Sequence, residues 1–116
     1  MERRSVGRAE EEIRRELVQI HEESYGAGIT ATEVYILDTA VLVILDVELT
    51  PAERTLLDSG KVDAVRRIRE DYQEVIGSTF IAVVERATGR RVTSWVSRMH
   101  VEGAPYSVEL FRLAPS

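Results

Sequence analysis

The chain has no cysteine and only two histidines, and these absences exclude several kinds of site. Without cysteine among its 116 residues, the protein has no disulfide, no thiolate nucleophile and no cysteine metal ligand. His21 and His100 stand far apart with no ligand spacing around either, so we expect no metal site. The sequence also lacks a Gly-x-Ser-x-Gly motif and a phosphate-binding glycine loop. We therefore predict a protein that is not an enzyme and has no cofactor.

Long apolar runs are absent as well. The longest uninterrupted run, residues 40–45, is far shorter than the roughly 20 residues that span a bilayer. Residues 1–8 lack the apolar segment of a signal peptide. We therefore expect a cytoplasmic protein with no direct membrane insertion. The length predicts one domain over residues 1–116, and we expect residues 1–7 to be disordered.

Basic residues are outnumbered in the first part of the chain, and acidic residues are outnumbered in the last part. Residues 1–85 carry 10 Lys and Arg against 18 Asp and Glu, whereas residues 86–116 carry five Arg against two Glu. The acidic body argues against nucleic-acid binding, which needs a broad basic surface. The basic end consists of Arg86, Arg90, Arg91, Arg98 and Arg112. These arginines either face an anion or an acidic partner, or are solvated and paired locally.

The periodicity of apolar residues predicts three helices and four strands. A first helix from Val6 or Arg8 to Ser24, with Ile13, Leu17 and Ile20 on one apolar stripe, is followed by strands at about 32–37 and 40–49. Thr50-Pro51-Ala52-Glu53 is a capping box that opens a short helix. A long amphipathic helix runs from Lys61 to about Thr88, with Gly89 just past its end. The chain closes with a hairpin of strands 90–101 and 106–113.

This order predicts an α+β fold, α-β-β-α-α-β-β. We expect a four-stranded, largely antiparallel sheet packed by the N-terminal helix and the long helix. On the long helix the predicted buried face comprises Val65, Ile68, Tyr72, Val75, Ile76, Thr79, Phe80, Val83 and Val84.

The second strand is apolar on both faces. Val41, Val43, Leu45 and Val47 make one face, while Leu42 and Ile44 lie on the other. A continuous apolar strand indicates that both faces are covered, and a chain this short has little material to cover two faces. We therefore predict a homodimer.

The terminal hairpin holds the candidate ligand-binding residues. A four-residue loop at 102–105 would place His100 and Arg98 near Glu109 on the opposite strand. Such a cluster either tunes a proton-binding group or holds an anion, and the alternative is a polar pairing on a solvated face. The predicted ligand-binding residues are Arg98, His100 and Glu109.

As a whole, the chain resembles the MpsC-like family, small bacterial domains linked by name to a Na+-translocating, membrane-potential-generating system. The matching segments are Val34-Tyr35-Ile36-Leu37-Asp38, Leu49-Thr50-Pro51-Ala52-Glu53, Ser97, Met99-His100, Val108-Glu109-Leu110-Phe111 and Leu113. The chain departs from the family pattern at Ile44 and Asp46, where many members carry a basic residue, and at Arg98, where many carry an acidic one.

Two functions follow from these observations. The resemblance implies a non-enzymatic accessory or regulatory subunit of a bacterial membrane ion or energy system, whose expected partner is a membrane protein. The residues also allow a cytosolic sensor that binds a small anion or metabolite, with Arg98, His100 and Glu109 at the mouth of its site. The sequence leaves both alternatives open.

Overall fold

The structure, a computed structural model, describes residues 3–26 and 28–115, except for the side chain of residue 3. Its elements are α1 (Arg3–Tyr25), β1 (Ile29–Ile36), β2 (Ala40–Val47), α2 (Pro51–Asp58), α3 (Val62–Thr88), β3 (Val92–His100) and β4 (Tyr106–Leu113). The predicted α+β class and element order are confirmed.

A single antiparallel sheet organises the described residues. Its strand order is β1-β2-β4-β3, so the two hairpins meet through the pairing of β2 with β4. Helix α1 packs on β1, α3 packs on β3, and the two helices contact each other, while α2 packs on α3. The molecule measures 48 × 23 × 22 Å. The short dimensions match one helix layer and one sheet layer of about 10 Å each.

The core lies between this sheet and the helices. Ile13 and Leu17 of α1 are fully buried, which confirms the apolar stripe predicted for this helix. From β2, the alternate side chains of Val41, Val43 and Leu45 enter the same core. The helices therefore cover one face of β2, and the strand's other apolar face points away from them.

Local sequence signals fix the helix ends. The Glu53 amide donates to Thr50 Oγ1 over 3.1 Å, and the Thr50 amide donates to Glu53 Oε1 over 2.8 Å, which confirms the capping box. Gly89 follows α3 with φ of 69°, a left-handed conformation that glycine adopts without steric cost. Its amide donates to the Glu85 carbonyl and closes the last turn.

Two predicted starts differ from the structure by three residues or more. Helix α1 begins at Arg3, earlier than the Val6 or Arg8 predicted, and residues 1 and 2, part of the segment predicted to be disordered, lie outside the described residues. Strand β1 begins at Ile29 instead of residue 32, and a register shift separates its first residue from the regular pairing.

The buried face of α3 was predicted partly wrongly. The predicted buried face includes Ile68, Val75 and Thr79, yet Ile68 and Val75 are 54% and 80% exposed and Thr79 is also exposed. Arg69 and Gln73 occupy buried positions on the inward face instead. Because α3 carries apolar residues on several sides, the positions of these residues alone did not identify the face that packs on the sheet.

Candidate functional site

A buried carboxylate lies at the centre of the inner sheet face. Glu109 of β4 is fully buried, directly opposite Ser97 of β3. It accepts hydrogen bonds from Trp95 Nε1 over 3.0 Å and from Ser97 Oγ over 2.8 Å. Burial raises the pKa of Glu109 to about 7, although hydrogen bonds from Ser97, Trp95 and Ser107 favour its ionised form. The hydrogen-bond donors to Glu109 are therefore uncharged, and its carboxyl group titrates near pH 7.

Helix α3 approaches this carboxylate through a glycine. A Cβ built on Gly77 would lie 2.5 Å from two ring carbons of Trp95, so only glycine admits the indole at this position. The tryptophan thereby packs against the α3 backbone while its Nε1 reaches Glu109. One turn earlier, Gln73 is buried and its Oε1 has no hydrogen-bond partner among the described residues.

A second buried charge cluster joins the three helices. Arg69 of α3 is 1% exposed and donates to both carboxylate oxygens of Glu53, with Nε–Oε2 and Nη2–Oε1 distances of 2.6 and 2.7 Å. The Tyr25 hydroxyl donates to Glu53 Oε2 over 2.5 Å, and the Arg69 guanidinium lies 4.2 Å from the centre of the Tyr25 ring. The capping residue of α2 is thus also the partner of a buried arginine.

This cluster has a structural role. Burial opposes ionisation of Glu53, but hydrogen bonds from Arg69, Tyr25 and the Thr50 amide outweigh it and lower the pKa of Glu53 to about 2. Both carboxylate oxygens are engaged within the chain, in a fork geometry that favours a fixed orientation. Sequence reasoning identified Glu53 as a helix cap and missed its ion pair, because nothing local to Arg69 indicates burial.

The three predicted ligand-binding residues do not come together. Their expected proximity is wrong: His100 pairs with Tyr106 and Arg98 with Val108, so both side chains leave the sheet on the face opposite Glu109. His100 and Arg98 are exposed, whereas Glu109 lies in the core. Ligand binding by these residues stays a prediction, and one anion cannot contact all three in this arrangement.

The arginines of the basic end divide into two groups. Arg86 is paired with Glu16, Arg90 donates to the Asp38 and Ala114 carbonyls, and Arg112 donates to the Thr39 carbonyl. Arg91 and Arg98 are both exposed and form no ion pair with another described residue. Local pairing therefore accounts for three of the five arginines of the basic end, and Arg91 and Arg98 differ from these three.

The outward sheet surface, which we call the open face, has an apolar centre with charged residues beside it. Its two central rows, read across β1, β2, β4 and β3, are Tyr35, Leu42, Leu110 and Val96, and then Glu33, Ile44, Val108 and Arg98. No described element covers this face. Tyr35 and Val96 are 44% and 55% exposed. The open face is the candidate functional site, because an exposed apolar patch of this kind marks an interaction surface.

Other kinds of site are not found among the described residues. No group of three or more His, Asp or Glu side chains there is arranged to hold a metal ion. Within 3–26 and 28–115, no helix combines the length and the apolar character needed to cross a bilayer.

The fold and the open face define a small α+β domain with one helix-covered sheet and one exposed apolar sheet surface. The family model for the Na+-translocating membrane potential-generating system (MpsC) matches residues 5–107. The chain therefore belongs to the MpsC family. A search of curated proteins and a search of solved structures gave no match.

Proposed function

We propose that this chain is a non-enzymatic accessory or regulatory component of a bacterial membrane ion or energy system, and that it works in the cytoplasm as a homodimer. The family to which the chain belongs carries the name of a Na+-translocating system. The chain contributes a binding surface formed by the elements described here, and a separate integral membrane protein carries the ion.

The open face is the observation that supports the homodimer. Four strands at about 4.8 Å spacing and about 3.3 Å per residue give this face roughly 500 Å² on each copy. Two copies packed through it bury about 1,000 Å² in total, which reaches the lower limit of about 1,000 Å² for a biological interface. The centre of the face consists of aliphatic side chains such as Leu42 and Leu110, and such residues gain most from leaving water.

Membrane vesicles from the source bacterium provide the test of the accessory role. The purified chain should sediment with inverted vesicles and should fail to sediment with liposomes made from the extracted lipids. Vesicles treated with protease provide a second control, because the proposed partner is a protein. Equal sedimentation with protein-free liposomes, or none with native vesicles, contradicts the accessory role.

The homodimer has its own test. Light scattering behind a sizing column should give twice the monomer mass of 13.1 kDa at micromolar concentration. A monomer mass maintained up to 100 µM contradicts the dimer without affecting the vesicle experiment, so the two parts of the proposal fail separately.

A further inference from the structure

The open face carries opposite charges at its two edges in the same row. Glu33 lies on edge strand β1 and Arg98 on edge strand β3, and both belong to the row that contains Ile44 and Val108. Three strand spacings of about 4.8 Å separate them by about 14 Å, too far for an ion pair within one chain. The guanidinium of Arg98 forms no ion pair with a described residue. The face therefore carries two separated charges of opposite sign.

We infer that the open faces of two copies pack on each other about a two-fold axis parallel to the strands, so that Glu33 of each copy meets Arg98 of the other. This inference rests on the proposed homodimer and specifies its geometry. A two-fold interface uses the same surface on both copies, so each contact between different residues occurs twice.

The position of the axis follows from the strand order. Rotation about an axis along the strands keeps each row in place and exchanges the two edges of the sheet. Strand β1 of one copy then lies over β3 of the other, and β2 lies over β4, given the order β1-β2-β4-β3. Leu42 and Ile44 thereby pack against Leu110 and Val108 of the second copy, which buries the apolar centre.

The alternative axis across the strands never pairs Glu33 with Arg98. It places each strand over its own copy, so an axis between the two central rows places Glu33 over Tyr35 and Arg98 over Val96. An axis through the row of the two charges makes Glu33 face Glu33 and Arg98 face Arg98. Like charges directly opposed at an interface disfavour that arrangement. Only the axis along the strands satisfies both the apolar centre and the charged edges.

The dimensions of side chains and sheets allow this contact. Face-to-face sheets lie about 10 Å apart and cross at about −30°. Each edge strand lies about 7 Å from the two-fold axis, which is half of the 14 Å separation. The crossing angle therefore displaces two facing edge strands by about 4 Å relative to each other. The long side chain of Arg98 spans that displacement and meets the carboxylate of Glu33 near the rim of the interface.

Charge reversal tests the arrangement in the full chain. Glu33→Arg and Arg98→Glu should each weaken dimerisation at least about tenfold, measured by sedimentation equilibrium, because each creates two like-charge contacts. The double variant should return to within about threefold of the original dissociation constant. An equimolar mixture of the two single variants should also dimerise, since both of its contacts pair opposite charges.

Matched controls place the same charge changes on the helix layer. Asp71→Arg and Arg67→Glu alter exposed α3 residues and should leave dimerisation unchanged. Circular dichroism on every variant confirms that folding is retained. A dimer that tolerates both single reversals overturns this arrangement while leaving the homodimer intact, and a monomer at all concentrations overturns both. A dimer weakened only by the α3 changes also overturns it.

Discussion

Replacement of Glu109 by glutamine should change how the stability of this protein depends on pH. The carboxyl group binds its proton more tightly in the folded chain, where its pKa is about 7, than in the unfolded chain, where it is 4.5. The stability that protonation contributes is therefore complete below pH 4.5 and is lost as the pH rises through 7. Glutamine resembles the protonated acid and does not titrate, so the variant should lack this loss.

The magnitude follows from the size of the pKa shift. A difference of about 2.5 pKa units at about 1.36 kcal/mol each corresponds to about 3 kcal/mol. Tyr72 of α3 interacts electrostatically with Glu109, and burial raises the pKa of its phenol. Because Tyr72 stays neutral between pH 5 and 8, its ionisation does not contribute to the change in this range.

Urea unfolding at pH 5 and pH 8 measures the effect. The single tryptophan, Trp95, donates to Glu109 and reports the transition by its fluorescence. The free energy of unfolding of Glu109→Gln, relative to the original chain, should rise by about 2.5 kcal/mol between the two pH values, because part of the full effect is already lost at pH 5. Protein concentration is held constant because dimerisation shifts apparent stability.

Glu74→Gln supplies the matched control, since this carboxylate is exposed on α3. It should run parallel to the original chain across the same pH range. If Glu109→Gln also runs parallel to the original chain, then the buried carboxyl does not titrate near neutrality and the reasoning from its burial is wrong.

Three further substitutions test other parts of the structure. Leu42→Glu on the open face should give folded monomers by light scattering and circular dichroism. Val43→Glu, one residue later and fully buried, should prevent folding. If both variants unfold, Leu42 belongs to the core. Gly77→Ala should lose about 2 kcal/mol of unfolding free energy despite better helix propensity, because the new Cβ meets the indole ring, while Ser78→Ala should change little. Equal stability of these two variants would contradict the close approach. Glu53→Gln should be less stable than the original chain at pH 7 by about 3 kcal/mol, because the ionised group has a lowered pKa of about 2 and stabilises above pH 4.5. This deficit should disappear as acid lowers the pH through 2, and a deficit independent of pH would exclude the ionised pair as its source.

The sequence predicted the elements because their signals are local. The 50–53 capping box, the αL glycine at residue 89 and the Ile13–Leu17 stripe each concern residues within one or two turns. The antiparallel sheet followed from the arrangement of strands in two hairpins. These features depend little on contacts between distant segments.

The placement of Arg98, His100 and Glu109 could be predicted only in part, because it depends on the pairing register of β3 with β4. Ser97 stands opposite Glu109, and this one-residue difference from the expected pairing moves Arg98 and His100 to the other face. The alternation of β4 held a usable signal, since Glu109 shares its face with Phe111 and Leu113, which are both core residues. Burial of Arg69 had no such signal, because its partner Glu53 lies 16 residues away.

The buried carboxylate also bears on how β4 selects its register during folding. Both faces of β4 contain apolar residues, so a slip of one position would place Val108 and Leu110 in the core and Glu109 in water. Hydrophobic burial alone barely distinguishes the two registers. The hydrogen bonds from Trp95 and Ser97 form only in the observed one. Glu109, whose ionisation reduces stability near neutral pH, thereby favours one register of β4 and leaves the apolar Val108 and Leu110 on the open face.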